Sequence, residues 1–164
     1  MHQQALSHTA YIGLGANLGD PRATIRAAAE ALSTLPGCQL SRCSRLYLSA
    51  PIEAQGDDFV NAVVQLQTSL PPMQLLAALQ QVEQQFGRER PYLNAPRTLD
   101  LDLLLYDNHM IDTAVLQVPH PRISQRAFVI LPLLELDHTI TIPGLGIAAS
   151  FLPGLIEQRI SVID

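Results

Sequence analysis

The chain has 164 residues, enough for one domain with a buried hydrophobic core. Hydrophobic residues make up 48% and charged residues 15%, and the net charge is −5, so a general nucleic-acid footprint is not expected. All ten basic residues are Arg, which excludes a P-loop lysine, a Schiff-base lysine and a lysine general base; any phosphate must be held by Arg, backbone N–H groups or metal. Cys38 and Cys43 match no zinc spacing and no disulfide scaffold, which suits a reducing compartment. The opening MHQQALSHTA lacks a basic segment followed by an apolar core, and no apolar run approaches the roughly 20 residues of a membrane span. A soluble, cytoplasmic, monomeric protein is expected.

In chain order, residues 1–8 read as a loose leader and residues 10–15 as a first strand. Gly13-Leu14-Gly15-Ala16-Asn17-Leu18-Gly19 only loosely resembles a nucleotide glycine loop, because its third Gly comes one residue late and no Gly-Lys-Ser/Thr follows. A tight strand-to-helix turn is the simpler reading of those glycines. Asp20 at N-cap and Pro21 at N1 open a helix to about Leu35, stopped by Pro36-Gly37. Residues 40–48 read as a second strand, with Arg42 and Arg45 on a solvated surface. The polar stretch 49–58 is longer than a tight hairpin needs, which favours a binding role. Residues 59–68 alternate as a third strand that puts Phe59 and Asn61 on one face at its loop end. An Asn there suits hydrogen bonding to a flat polar ligand, and equally a capped surface position.

Ser69-Leu70-Pro71-Pro72 opens a second helix whose stripe is Leu75, Leu79, Val82 and Phe86, stopped by Gly87. Glu83 stands near its C-terminal end, where the helix dipole disfavours an acid, so either solvation or ligand contact must explain it. The loop 88–97 then carries Arg88, Arg90 and Arg97, residues suited to clamping phosphate oxygens. It leads into the most informative stretch, Thr98 to Tyr106. By period-2 alternation Leu99, Leu101, Leu103 and Leu105 take one face, and Asp100 and Asp102 the other, with Leu104 and Tyr106 beyond them. Same-face neighbours on a strand lie roughly 6.6–6.8 Å apart, so two carboxylates project side by side. Two like charges on a strand built for burial are costly, and a divalent metal pair is the economical compensation. An arginine cluster abutting paired acids is what a metal-bound polyphosphate would require.

Further on, His120 is displayed rigidly between Pro119 and Pro121. Residues 124–134 read as a third helix with Arg126 on a different side from Phe128, and 139–142 as a short strand; 145–164 are weakly informative. The element order β-α-β-β-α-β is that of a ferredoxin-like α+β fold, here three-layered α/β/α with an appended helix and short strands. The whole chain, 1–164, is expected to be a single domain.

These residues resemble the 6-hydroxymethyl-7,8-dihydropterin pyrophosphokinase family of folate biosynthesis. The resemblance runs from Tyr11 to about Pro143. It is carried most strongly by Pro96-Arg97-Thr98-Leu99-Asp100-Leu101-Asp102. Gly15-Ala16-Asn17-Leu18-Gly19, Phe59-Val60-Asn61-Ala62, Glu83 ahead of Gly87-Arg88, and Val118-Pro119-His120-Pro121-Arg122 ahead of Arg126-Ala127-Phe128 support it. It implies transfer of the β,γ-pyrophosphoryl group of ATP to the pterin's hydroxymethyl oxygen, releasing AMP. It also implies that Asp100 and Asp102 hold two Mg²⁺ ions, with Arg88 and Arg97 joining them as catalytic residues. Arg88, Arg97, His120 and Arg126 would hold phosphate, and Gln80, Glu83, Arg90 and Leu103 would complete the ATP side. The pterin would lie against Ser49, Ala50, Ile52, Phe59, Asn61 and Phe128. Loops 49–58 and 88–96 would close over the site and exclude water. A two-metal phosphohydrolase using the same acids, or a non-catalytic ligand-binding module on the same scaffold, would be the alternatives; product identity and Mg²⁺-dependent ATP binding separate them.

Overall fold

A computed structural model gives the fold and describes residues 5–51, 57–87 and 98–163. In chain order the strands are β1 (His8–Ala16), β2 (Cys38–Cys43), β3 (Tyr47–Ser49), β4 (Phe59–Thr68), β5 (Asp100–Tyr106), β6 (Ile111–Asp112), β7 (Gln117–Val118), β8 (Thr141–Ile142), β9 (Gly146–Ile147) and β10 (Ile160–Val162). The α-helices are α1 (Pro21–Ser33), α2 (Pro72–Phe86) and α3 (Ala127–Leu136), and 3-10 turns span Ile123–Gln125 and Ala148–Leu155.

The six-stranded sheet runs β10-β3-β4-β1-β5, with β2 also paired to β4, and every pairing is antiparallel. With β2 and β3 counted as one interrupted strand, this is the ferredoxin-like order, extended by β10. Alternation on β1 and β4 sends Ile12, Leu14, Val64 and Leu66 to one face, where Ile25, Ala28 and Leu32 of α1 and Leu75, Leu79 and Val82 of α2 cover them. The opposite face packs Tyr11, Val63, Leu104 and Leu105 against Ile130 and Leu133 of α3. Asp20 caps α1, its carboxylate accepting from the Ala23 N–H at 3.2 Å. No helix among the described residues is long and apolar enough to cross a membrane.

Four sequence expectations change. His8 is not loose leader: it begins β1 and its Nδ1 lies 2.6 Å from the Asp107 carboxylate. The single strand over 40–48 divides, because three residues (44–46) face only two on β4 between the Cys43–Val64 and Tyr47–Asn61 pairs. Ser44 fills the break, its hydroxyl accepting from the Val63 N–H at 2.9 Å. Arg42 and Arg45 lie on the exposed surface as expected, where Arg42 donates to the Leu136 carbonyl and Arg45 pairs with Glu135 at 3.5 Å. The third helix starts later, at Ala127, after the separate 3-10 turn.

The fourth change concerns β5. Ile12 pairs with Leu103 and Tyr11 with Leu105, so Leu104 is an extra residue bulged against β1. Beyond the bulge the alternation inverts. Leu105 joins the α3-side core and Tyr106 joins the α1/α2-side core, the reverse of simple alternation.

Candidate active site

Asp100 and Asp102 lie opposite Gly15 and Gly13 of β1. Neither glycine has a side chain to cover the acids, so the α3-side face of the sheet opens into a cavity of about 330 Å³ there. The space is tight elsewhere. A Cβ on Gly15 would stand 3.2 Å from the Asn61 amide nitrogen, and one on Gly13 would stand 3.4 Å from Leu104. The glycines are therefore the cavity floor and not the expected strand-to-helix turn, which uses Gly19 at φ 64°. Sequence reading missed this role; two small residues facing two acids across a strand pair was the available signal.

Two backbone anchors fix the acid strand. The Leu101 N–H, between the two acids, donates to Glu83 Oε2 at 2.8 Å. This hydrogen bond explains a carboxylate in the last turn of α2, where the helix dipole opposes it. The bulged Leu104 carbonyl accepts from the His120 N–H at 3.0 Å, which holds His120 beside the acids. The Arg122 N–H donates to His120 Nδ1 at 3.1 Å, so the ring proton sits on Nε2, and Nε2 lies 4.0 Å from Asp102 Oδ1. Burial first, then the Arg126 and Arg122 charges, lower the His120 pKa, against the opposing pull of Asp102. His120 thus presents a neutral N–H donor toward the acid strand.

The first cavity brings together most of the residues assigned to the pterin. Ser49 and Asn61 are both buried, and Ser49 Oγ donates to Asn61 Oδ1 at 2.6 Å. That bond fixes the carboxamide and leaves its NH₂ beside Gly15. Phe59 and Phe128, both half-buried, and Ala50 line the same space. The Arg126 guanidinium stands over the Phe128 ring at 5.4 Å, so an arginine expected among the phosphate ligands lines the aromatic cavity. Arg122, Gln125 and Val129 also line it and were not anticipated.

A second cavity of about 370 Å³ opens on the other side of Asp102, lined by Leu103, His120, Leu76 and Leu116 among others. Asp102 lines both cavities. Gln80 is exposed one helical turn beyond Leu76, on the same side of α2. Glu83 lines neither cavity. Ile52, Arg88, Arg90 and Arg97, and with them most of loops 49–58 and 88–96, lie outside the described residues.

The donor set fits Mg²⁺. Asp100 and Asp102 offer hard carboxylate oxygens from one strand face, and the Asp102 side chain remains 43% exposed at the cavity junction. Among the described residues no three His, Cys, Asp or Glu side chains converge to cage an ion. Mg²⁺ typically takes one or two carboxylates and fills its remaining positions with phosphate oxygens and water.

The fold is thus an antiparallel α+β sheet with two acids on one strand, and Asp102 borders both cavities. The comparisons with known proteins give the family. The 7,8-dihydro-6-hydroxymethylpterin-pyrophosphokinase (HPPK) family model matches residues 11–138. A 2-amino-4-hydroxy-6-hydroxymethyldihydropteridine pyrophosphokinase of Pseudomonas aeruginosa is 44% identical over 134 residues, covering 81% of this chain and 83% of the relative. The protein of the same name from Haemophilus influenzae is 39% identical over 152 residues, covering 92% and 95%. A crystal structure of Plasmodium falciparum HPPK-DHPS overlaps 95% of this chain with a TM-score of 0.74. At 12% identity that likeness is one of fold, and this chain spans 44% of that longer one. The chain belongs to the 7,8-dihydro-6-hydroxymethylpterin-pyrophosphokinase family and is a pyrophosphokinase, a transferase of folate biosynthesis.

Proposed function

We propose that this chain transfers the β,γ-pyrophosphoryl group of ATP to the hydroxymethyl oxygen of 6-hydroxymethyl-7,8-dihydropterin, giving AMP and the pterin pyrophosphate. The observation that carries this reading is Asp102 at the junction of two cavities, one aromatic and amide-lined, the other beside His120 and Leu103. The first cavity suits the pterin and the second suits the nucleotide, so the acceptor oxygen and the polyphosphate meet at the two acids.

The pterin inserts between Phe59 and Phe128, and Asn61, oriented by Ser49, hydrogen-bonds its polar edge. Leu103 and Gln80 bound the nucleotide side. The neutral His120 donates from Nε2 to a phosphate oxygen, and the Arg126 guanidinium over Phe128 adds positive charge beside His120. Arg88, Arg90 and Arg97, outside the described residues, complete the phosphate contacts. Asp100 and Asp102 would hold two Mg²⁺ ions, which would supply neutralisation of the polyphosphate charge. The hydroxymethyl oxygen attacks the β-phosphorus, its proton passes to solvent, the bond from the β-phosphorus to the α,β-bridging oxygen breaks, and AMP leaves with that oxygen. A loose transition state of this kind is served by positioning and charge compensation and needs no strong base. Incubating the protein with Mg-ATP and the hydroxymethyl pterin tests the reading through the nucleotide released.

A further inference from the structure

We infer that Gln158 is a positioning residue for the pterin pocket: its carboxamide clamps the backbone on both sides of Arg126 and sets where Arg126 and Phe128 stand. This rests on the pterin reading of the first cavity. Helix α3 begins at Ala127 with Arg126 as its N-cap, and Arg126 makes no side-chain capping hydrogen bond. The first N–H groups of a helix need partners from outside it. For Ala127 that partner is Gln158 Oε1, at 2.8 Å. The same amide donates through Nε2 to the Gln125 carbonyl at 2.8 Å. The two bonds bracket Arg126, whose guanidinium lies over the Phe128 ring.

Gln158 itself does not line the cavity. Its neighbours reach the opposite wall. The Arg159 carbonyl accepts from the Ala50 N–H at 3.3 Å, and Ile160 pairs with Ser49 at the start of β10. Three consecutive residues of the C-terminal segment therefore tie together the wall bearing Phe128 and the wall bearing Ser49 and Ala50. The clamp needs one acceptor and one donor at fixed reach, which a glutamine amide supplies. Leucine supplies neither and glutamate only the acceptor.

The test compares Gln158→Leu, Gln158→Glu, Ile160→Ala and Phe128→Ala by thermal melting and by steady-state AMP release at saturating Mg-ATP with varied hydroxymethyl dihydropterin. Small displacements of aligned groups are costly, so Gln158→Leu is expected to lower kcat/KM for the pterin about tenfold or more. Gln158→Glu, keeping the bond to Ala127, recovers part of the loss. Ile160→Ala lowers the melting temperature yet holds kcat/KM within about twofold, because it removes core packing and keeps both the strand pairing with Ser49 and the Gln158 bonds. An unchanged kcat/KM in Gln158→Leu, or losses in Gln158→Leu and Ile160→Ala that both follow melting temperature, would overturn the inference. Phe128→Ala separates the two readings. If it leaves the pterin KM unchanged, the pocket assignment itself fails; if it raises KM while Gln158→Leu leaves kcat/KM unchanged, only the positioning role fails.

Discussion

Replacing Glu83 tests how the acid strand is held. Among its interactions, its carboxylate accepts a hydrogen bond from the Leu101 N–H at 2.8 Å, and Leu101 is buried. A hydrogen bond to a charged group contributes roughly 1.5–3 kcal/mol, and removing its acceptor leaves the N–H unpaired. Against this, an acid in the last turn of a helix costs about 0.3–1 kcal/mol. Glu83→Ala is thus expected to lose about 1–2 kcal/mol. For a domain of this size that is a fall in melting temperature of about 2–8 °C. Glu83→Gln keeps an amide oxygen for the Leu101 N–H and relieves the dipole, so it should stay within about 0.5 kcal/mol of the parent. Turnover should follow the same order, since Leu101 sits between the two acids. Alanine is expected to lose about tenfold or more, through displaced carboxylates, and glutamine little. Thermal melting and AMP release on the two variants decide it. If Glu83→Gln fails as badly as Glu83→Ala in turnover while melting normally, the charge itself acts on a ligand and the anchoring explanation is wrong.

Asp102→Asn keeps size and removes charge, so pyrophosphoryl transfer should fall by about a hundredfold or more with the melting temperature nearly unchanged; near-normal transfer would remove Asp102 from the metal site. Asn61→Ala should weaken pterin binding and spare ATP binding by calorimetry, because Asn61 lines only the first cavity; equal losses for both ligands would show a general collapse of the site. Burial raises the Asp107 pKa, but the Thr9 N–H and His8 outweigh it and hold the carboxyl below its ordinary 3.8. Ionised Asp107 therefore stabilises the fold above that pH, and the contribution disappears as pH falls through the lowered folded value. Asp107→Asn should melt earlier than the parent at pH 7, and the gap should close toward pH 2–3; a gap that persists in acid would assign it to packing instead.

Much of this molecule is readable from its residues. The bounds of β4, the Asp20 cap on α1 and the stop at Gly87 follow from alternation and local chain chemistry. Asp100 and Asp102 on one strand face, with Phe59 and Asn61 on another, follow from period 2 alone. Contacts distant in sequence decided the rest. Leu104 bulges because β1 offers five-residue spacing where β5 has six, from Tyr11 to Gly15 against Leu105 to Asp100. The break at Ser44 depends on Val63, and the start of α3 depends on Gln158, 31 residues after Ala127. No local pattern around Arg126 announces that cap. The glycines at 13 and 15 look like a loop motif in sequence and become a cavity floor only once β5 lies beside β1.

The decisive measurement is the identity of the nucleotide formed when the protein is given Mg-ATP and 6-hydroxymethyl-7,8-dihydropterin. One AMP should appear for each pterin pyrophosphate, with none formed when the pterin is withheld. ADP or free phosphate as the product, or AMP release independent of the pterin, would exclude pyrophosphoryl transfer at Asp100 and Asp102.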